Sequence, residues 1–397
     1  MIDPRDLSPI GFGAYRIDEQ DGRHRMALLR ALDSGCNLID TASNYGNGAS
    51  ERLIGAVLRE SGRPAFVVTK AGYIDGDNLP RLAEACQRGL PASAIGGISG
   101  NTLYCIHPDY LDVQMDESCK RLGRGQLDAV LLHNPEHRLA AGATRDEMLG
   151  EIHDAFAFFE RCVDEGRLRF YGISSNTLDA GMLAALPAAP HFRFLEMPLN
   201  LVERQARPTF EAARARGIVT LANRPLNAMT AHGPVRLTTE DADPGDSDAV
   251  LAEAMTRMQR RLRDAGEEDF LRFDVLRVLS TRLHSLGTAD AVDALFDGHF
   301  FPLADALAEF EEDGDAEAFH ALHATAVACA KRNNARAARE IRSRAEEERY
   351  LVRDDRPFPV AACECLFSWA ADHVLVGMRR PEYVQQLEEI FRCAASV

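Results

Sequence analysis

Residues 37–70 read NLIDTASNYGNGASERLIGAVLRESGRPAFVVTK. The segment opens with a short apolar run that ends at Asp40 and closes with a second run that ends at Lys70. Between them, Ser50 to Arg59 has the periodicity of an amphipathic helix. Its apolar residues fall on one face: Leu53, Ile54, Val57 and Leu58. Two short strands joined by such a helix are typical of a parallel pair with a crossover connection, so the segment predicts one βαβ unit.

The same alternation extends outward from this unit. Apolar runs predict strands at 9–13, 37–40, 66–70, 127–133, 168–174, 192–200 and 218–221, and helical patterns lie at 25–34, 50–59, 110–122, 152–165 and 209–216. A late run at 373–376 brings the number of predicted strands to eight. Eight parallel strands favour an α/β fold of the closed (β/α)8 type, the TIM barrel, over an open doubly wound sheet.

Two stretches interrupt the alternation. Residues 71–108 are rich in glycine and small residues and follow Lys70 directly. In a barrel this position is a loop at the catalytic face, so we expect either a substrate lid or a tolerated surface insertion, and the sequence does not decide between them.

The second interruption covers residues 231–356. It begins with an acidic linker at 240–246 and continues with helical patterns, the last of them an alanine-rich and charged stretch at 330–349 that predicts a solvated helix. Two earlier patterns place apolar residues on one face, at Met255, Met258 and Leu262 and at Leu271, Val275, Val278 and Leu279. We therefore predict a barrel formed by 1–230 and 357–397, with 231–356 as a large helical subdomain inserted between the seventh and eighth strands.

Composition excludes several classes of protein. The 397 residues carry a formal net charge of −16, which argues against nonspecific nucleic-acid binding. No apolar run approaches the length that spans a membrane, and the first residues are polar, unlike a signal peptide. The nine scattered cysteines favour a reduced, cytoplasmic setting. Cys105 with His107, and Cys363 with Cys365, lack a second ligand pair at zinc spacing, so we predict no metal site.

Four side chains capable of acid–base chemistry come at or just after the ends of predicted strands. Arginine carries nearly all the positive charge, and the lysines are Lys70, Lys120 and Lys331, so a lysine that ends a strand points to chemistry. Asp40 ends one run, Tyr45 follows it, and His133 ends another. Catalytic residues of barrels lie at the carboxyl ends of the strands, so we expect these groups to meet in an active site.

Several motifs resemble the aldo/keto reductase family in order and spacing. They are Asn37 to Gly46, Ser50 to Gly55, Val68-Thr69-Lys70, Leu131 to Pro135, Tyr171 to Ser175, and Val374 to Glu382. The resemblance covers about residues 9–227 and the chain from about 360 to the end, and leaves out the predicted insert. It implies a (β/α)8 barrel, an oxidoreductase activity and a catalytic tetrad of Asp40, Tyr45, Lys70 and His133.

The resemblance also gives each member of the tetrad a role. Tyr45 is the general acid or base that exchanges a proton with the substrate oxygen. A free phenol has a pKa of about 10, and Lys70 is expected to lower that pKa. Asp40 holds Lys70 charged and in place, and neutral His133 orients the carbonyl. The substrate is expected to be a small or medium metabolite carbonyl or the corresponding alcohol.

The resemblance further implies NADP(H) as cofactor, bound across the barrel mouth. Gly377, Arg379 and Arg380 match the segment that holds the adenosine phosphate, and paired guanidinium groups suit a 2′-phosphate. Near the nicotinamide the sequence departs from the family. The expected contacts there are Ser174, Ser175, Asn176, Glu196, Asn223 and Arg224. Glu196 replaces a glutamine, Ser175 replaces an asparagine, and Asn223 replaces an aromatic residue.

These departures leave alternatives open. The chain is predicted to be an NADPH-dependent oxidoreductase that interconverts a carbonyl and an alcohol. A second possibility is a barrel that senses NADP or binds a partner. A third is an acid–base lyase or isomerase that uses Tyr45 and Lys70 without redox turnover. The sequence does not specify the substrate, the direction of reaction or the oligomeric state.

Overall fold

The computed structural model describes residues 2–99, 102–231, 233–238, 249, 252, 253, 256, 286–300 and 315–391. Its centre is a closed barrel of eight parallel strands, as the sequence predicts. The strands are β1 (Ile10–Gly13), β2 (Leu38–Asp40), β3 (Phe66–Ala71), β7 (Leu127–His133), β8 (Leu168–Ser174), β9 (Phe192–Pro198), β10 (Val219–Asn223) and β13 (His373–Gly377). Around the barrel they follow the order β1, β13, β10, β9, β8, β7, β3, β2, and β2 pairs again with β1.

Helices follow most barrel strands and cover their outer faces. They are α1 (Gly22–Asp33), α2 (Ala49–Ser61), α4 (Pro108–Leu122), α5 (His137–Ala140), α6 (Arg145–Asp164), α7 (Ala180–Ala185) and α8 (Arg207–Ala215), with α11 (Phe358–Phe367) and α12 (Pro381–Gln385) flanking β13. Helix α6 begins before the predicted residue 152. Thr144 accepts a hydrogen bond from the Glu147 backbone, and the Glu147 carboxylate accepts one from the Thr144 backbone. This capping box starts the helix in a polar stretch where apolar periodicity is weak.

The barrel interior is filled by alternate residues of its strands. Its core cluster consists of Leu7, Leu38, Phe66, Val68, Ala129, Leu131, Phe194, Leu221 and Leu375. Successive side chains of a strand point to opposite faces, so the residues two positions after these also point inward. The packing of the core therefore decides which side chains reach the carboxyl end of the barrel.

The stretch 71–108 is more regular than the predicted loop. It contains β4 (Tyr73–Ile74), α3 (Leu79–Gln87), β5 (Gly96–Ser99) and β6 (Thr102–Tyr104), and the three strands form an antiparallel sheet. A separate small core holds this segment together: Ile74, Ala85, Leu90, Cys105, Tyr110 and Val113. The strands are too short for sequence periodicity to reveal them, so the prediction did not include them. That the stretch is a substrate lid or a tolerated insertion stays a prediction.

The chain divides into two compact units, residues 1–225 with 360–397 and residues 226–359. The second unit begins with a β-hairpin, β11 (Asn227–Thr230) and β12 (Gly233–Arg236), which the sequence analysis did not predict. It also contains α9 (Ala289–Leu295) and α10 (Asp315–Glu347). That residues 231–356 form a helical subdomain inserted into a barrel of 1–230 and 357–397 stays a prediction.

Helix α10 corrects the prediction of a solvated helix at 330–349. One face of the helix is buried and consists of small residues: Ala326, Cys329, Ala330, Ala335, Ala338 and Ala345. Asn334 on the same helix bonds both the backbone N–H and the carbonyl of Arg236 at 2.7 and 2.9 Å. Alanine buries little area per residue, so its helical stripe is easily mistaken for a solvated one. The predicted linker at 240–246 and the apolar faces at 255–262 and 271–279 lie outside the described residues.

The described residues contain neither a membrane-spanning helix nor a cluster of metal-ligating side chains. Within the described ranges, no helix is both long and apolar enough to cross a membrane. In the same ranges, no group of three or more His, Cys, Asp and Glu side chains could hold a metal ion.

Candidate active site

The predicted acid–base residues meet at the carboxyl end of the barrel because of strand alternation. Three of them lie two positions after a core residue of their own strand: Asp40 after Leu38, Lys70 after Val68 and His133 after Leu131. Two predicted cofactor residues follow the same rule, Glu196 after Phe194 and Asn223 after Leu221. The same face that builds the apolar core thus ends in a layer of polar groups. This layer lies where the active sites of (β/α)8 barrels are found.

Lys70 is at the centre of this layer and its side chain is fully buried. Its ammonium donates to Asp40 Oδ1, to the Thr41 carbonyl at 3.0 Å and to Tyr45 Oη at 3.5 Å. Glu196 Oε2 lies 3.2 Å from Nζ as a second carboxylate. The pKa of Lys70 is raised, because the attraction of Asp40 and Glu196 outweighs the opposing effect of burial. Lys70 therefore stays charged at neutral pH.

Tyr45 begins a tight turn directly after β2. The turn runs from Tyr45 to Gly48, and its last three residues have positive φ, 55°, 53° and 82°. At Gly48 a Cβ would lie 2.7 Å from Arg121 Cδ, so both the backbone conformation and the available space require glycine. The phenol ring packs edge-on against Tyr15 at 5.0 Å and His133 at 5.9 Å between ring centroids. This places a half-buried hydroxyl between an ammonium and an imidazole.

The pKa of Tyr45 is raised above 10, not lowered as the sequence analysis expected. Removal of the phenol from water is the largest cause. Lys70 lowers the pKa as predicted, but Asp40 and Glu196 both raise it and offset much of that effect. The sequence predicted Glu196 as a cofactor contact but did not show that its carboxylate lies beside Lys70. Tyr45 is therefore a neutral phenol at neutral pH and carries the proton that a donor must hold.

His133 ends β7 and is buried. Burial lowers the pKa of His133 well below 6.5, and the charge of Lys70 lowers it further. The ring of Tyr73 packs against His133 with centroids 4.7 Å apart, and Tyr73 Oη lies 2.6 Å from His137 Nε2. Sequence reasoning missed Tyr73, since it lies on the short strand β4 that periodicity did not reveal. A neutral imidazole in this position can donate a hydrogen bond to a substrate oxygen.

Glu196 and Asn223 form a pair on neighbouring strands. Asn223 Nδ2 donates to Glu196 Oε1 at 2.7 Å. Glu196 Oε2 and Asn223 Oδ1 are buried and have no hydrogen-bond donor. Buried acceptors of this kind are uncommon in native proteins and mark places where a ligand group can bind. An amide NH₂ would satisfy Asn223 Oδ1, so this part of the site fits the carboxamide of a nicotinamide.

The residues at the end of β8 are arranged differently from the expectation. Ser174 is buried at the strand end, but the Ser175 hydroxyl donates to Glu136 Oε2 at 2.9 Å. Asn176 is exposed, and its side chain donates to Asn134 at 3.1 Å. Ser175 and Asn176 therefore already have partners within the protein. Neither side chain donates to Glu196 Oε2 or to Asn223 Oδ1, the two buried oxygens that have no donor.

The remaining predicted cofactor residues lie at the rim. Arg224 has a positive φ of 52° and contacts Glu203 at 3.4 Å. Gly377 ends β13 and is exposed, Arg379 is half-buried, and Arg380 is exposed, with its guanidinium 6.0 Å from the Tyr383 ring centroid. These groups come from the ends of β10 and β13, which are adjacent strands. Their placement leaves guanidinium groups at the surface of the barrel's carboxyl end.

Comparison with known proteins agrees with the motifs and the fold. The model of the aldo/keto reductase family matches residues 9–268. The chain belongs to the aldo/keto reductase family. This aldo/keto reductase brings Asp40, Tyr45, Lys70 and His133 together at the carboxyl end of its barrel.

Its curated relatives have low sequence identity to this chain, and each matches only part of it. An aldo-keto reductase of Schizosaccharomyces pombe, yakc, whose name includes NADP(+), is 26% identical over 247 residues, covering 60% of this chain and 63% of that protein. A D-threo-aldose 1-dehydrogenase of Pseudomonas is 29% identical over 191 residues, covering 44% of this chain and 52% of that protein. The chain thus spans less than two thirds of the length of each of these two relatives.

One solved structure is similar over nearly the whole chain. The glycerol dehydrogenase of Gluconobacter oxydans has a TM-score of 0.52 and 18% identity, covering 97% of this chain and 86% of that one. This likeness supports the barrel fold.

Proposed function

We propose that this aldo/keto reductase is an NADP(H)-dependent oxidoreductase that reduces an aldehyde or ketone of a small metabolite to an alcohol. The observation that carries the proposal is the neutral hydroxyl of Tyr45, held 3.5 Å from the charged Lys70 and beside neutral His133. A carbonyl that accepts a hydride develops negative charge on oxygen, and these groups are placed to meet that charge.

Each residue of the site has a defined task in this reaction. Tyr45 donates its hydroxyl proton to the substrate oxygen, and Lys70 stabilises the phenolate that results. His133 donates a second hydrogen bond and orients the carbonyl. Asp40 holds Lys70 in place. NADPH, when bound, supplies the hydride that forms the new C–H bond.

Two observations support the choice of cofactor: buried acceptor oxygens that have no hydrogen-bond donor, and arginines at the rim of the barrel. Asn223 Oδ1 would accept from the nicotinamide carboxamide, and Ser174 provides a hydroxyl donor on β8, the strand next to Glu196. Arg379 and Arg380 would hold the 2′-phosphate, which favours NADPH over NADH. The name of the Schizosaccharomyces pombe relative supports the same choice.

Cofactor selectivity tests this assignment. We expect NADPH to bind more tightly than NADH, seen as a change in cofactor fluorescence on titration. Replacing Arg379 and Arg380 by alanine should weaken NADPH binding by about 1.5–3 kcal/mol for each lost charged hydrogen bond and leave NADH binding nearly unchanged. Equal losses for the two cofactors would contradict the role of the arginines.

The same titration, followed by turnover over a panel of carbonyl compounds, separates the alternatives. Binding with turnover supports the reductase. Binding without turnover on any carbonyl would favour a sensor of the cofactor, which the replacements at Ser175 and Asn223 would then explain. No binding of either nucleotide would favour non-redox chemistry at Tyr45 and Lys70.

A further inference from the structure

Three buried ionisable groups meet inside the barrel, and their formal charges do not balance. Lys70, Asp40 and Glu196 are 0%, 5% and 1% exposed. One ammonium faces two carboxyl groups, so full ionisation would leave a net negative charge in the protein interior. An uncompensated buried charge is strongly unfavourable, and such groups change protonation state instead.

The hydrogen bonds of Lys70 show which carboxyl group lacks a donor. An ammonium has three N–H donors, and those of Lys70 are directed to Asp40, to the Thr41 carbonyl and to Tyr45. Glu196 Oε2 is near the charge but receives no hydrogen bond. This oxygen therefore lacks the donor that a buried carboxylate needs.

Another buried glutamate of the same unit, Glu51, has a hydrogen-bond donor for each of its carboxylate oxygens. Glu51 Oε1 accepts from Thr69 Oγ1 at 2.6 Å, and Glu51 Oε2 accepts from Arg121 Nε at 2.6 Å. Both of its oxygens have donors, and one arginine balances its one charge. Glu196 has neither a donor for each oxygen nor a cation of its own.

We propose that Asp40 and Glu196 share one proton at neutral pH, so that Glu196 acts as a neutral positioning residue rather than as a second negative charge beside Lys70. The shared proton supplies the missing hydrogen at the carboxyl pair and leaves Lys70 balanced by a single negative charge. A carboxylic acid resembles an amide in having one acceptor oxygen and one donor, so protonated Glu196 takes the form of the glutamine that the family motif has at this position.

The surroundings of the pair agree with this assignment. The charged and titratable groups that face it are Lys70 on β3 and Tyr45 after β2, with His133 on β7 beside Lys70. Burial, the charge of Glu196 and a hydrogen bond with Glu196 raise the pKa of Asp40, while Lys70 opposes them. Both carboxyl groups lie against the same ammonium, and carboxyl groups that share one site exchange protons as a coupled pair.

The proposal has a consequence for Tyr45, and this part rests on the proposed function. Both carboxylates raise the pKa of the phenol, so loss of the shared proton would add a negative charge beside the group that must become phenolate. We therefore expect turnover to decline with rising pH as the pair loses its proton. In Glu196→Gln this decline should be absent, because the amide cannot ionise.

Infrared difference spectroscopy of the whole protein, without cofactor, tests the proposal directly. At neutral pH we expect the C=O band of a carboxylic acid, which disappears on titration to alkaline pH. The band should be lost in Glu196→Gln and also in Asp40→Asn, since each variant leaves one carboxylate balanced by Lys70. Glu51→Gln, a change at a buried glutamate whose two oxygens both have donors, should retain the band.

The outcomes of the infrared experiment can be distinguished from those of the cofactor titration. Absence of the band in the wild-type protein at neutral pH, or its survival in both variants of the pair, would overturn the shared proton. If one variant fails to fold, the other decides the assignment. A band that behaves as expected in a protein that binds no nucleotide would leave the shared proton in place and overturn the proposed function instead.

Discussion

His133 illustrates how one residue links the site to the stability of the protein. It is buried beside Lys70, which makes its protonated form unfavourable in the folded state. In the unfolded chain a histidine has a pKa of about 6.5. Between the lowered folded pKa and about 6.5, the unfolded state therefore binds more protons than the folded state. The contribution of His133 to stability is present above pH 6.5 and is lost as pH falls.

The pH dependence of unfolding measures this contribution. We expect the free energy of unfolding to decrease between about pH 6.5 and 5, with His133 contributing a slope of at most about 1.4 kcal/mol per pH unit. His133→Gln should show a smaller slope than the wild-type protein in urea titrations. His153→Gln, a change at an exposed histidine of α6, serves as control. An unchanged slope in His133→Gln would mean that His133 is not held neutral by the fold.

At the scale of single residues, the sequence predicted which side chains form the site better than it predicted their pKa values. Asp40, Tyr45, Lys70 and His133 were predictable because each follows a recognisable apolar strand. The raised pKa of Tyr45 was not predictable, because it depends on Glu196, which reaches Lys70 from a distant part of the chain. Spacing along the sequence does not show which side chains share one interior.

At the scale of elements, strand β3 is fixed to the helices outside the barrel by a buried ion pair. Thr69, the neighbour of Lys70, points outward and donates to Glu51 on α2, and Glu51 accepts from Arg121 on α4. The side chains of Glu51 and Arg121 are 0% and 9% exposed. One outward residue thus joins two helices to the strand whose next residue, Lys70, faces the site.

Removing one partner of this pair should be strongly destabilising. Glu51→Ala leaves a buried arginine without its carboxylate, and we expect a loss of about 3–5 kcal/mol in the free energy of unfolding. Asp33→Asn removes the partner of Arg63 in an exposed ion pair and should cost less than about 1 kcal/mol. Urea unfolding of the two variants provides the comparison. Similar small losses for both would show that the Glu51–Arg121 pair does not hold β3.

Elements were predictable from sequence in proportion to their length and apolar pattern. The barrel strands stood out because they are buried on both faces and read as continuous apolar runs. Strands β4 to β6 were missed because they have two to four residues each, too few to show a periodic apolar pattern. Capping by Thr144 similarly extended α6 beyond its apolar part.

At the scale of the whole molecule, the barrel is closed by two parts of the chain that are far apart in sequence. Leu221 and Ala222 on β10 pair with His373 and Val374 on β13. Thr220 reinforces the junction, since its backbone N–H donates to the Asp372 carboxylate at 2.9 Å and its hydroxyl donates to the Ala370 carbonyl at 2.6 Å. The eighth strand was predictable from its apolar run at 373–376, and the resulting count of eight strands favoured a closed barrel.

The central claim is that Tyr45 donates the proton in an NADPH-dependent reduction, and the rate of NADPH oxidation by Tyr45→Phe tests it most directly. The phenylalanine keeps the ring that packs against Tyr15 and His133 but removes the hydroxyl. We predict NADPH affinity and melting temperature close to those of the wild-type protein, with a rate of carbonyl reduction lowered by about 10²–10⁴. A phenylalanine variant that reduces the same carbonyl at a near-normal rate would contradict the account.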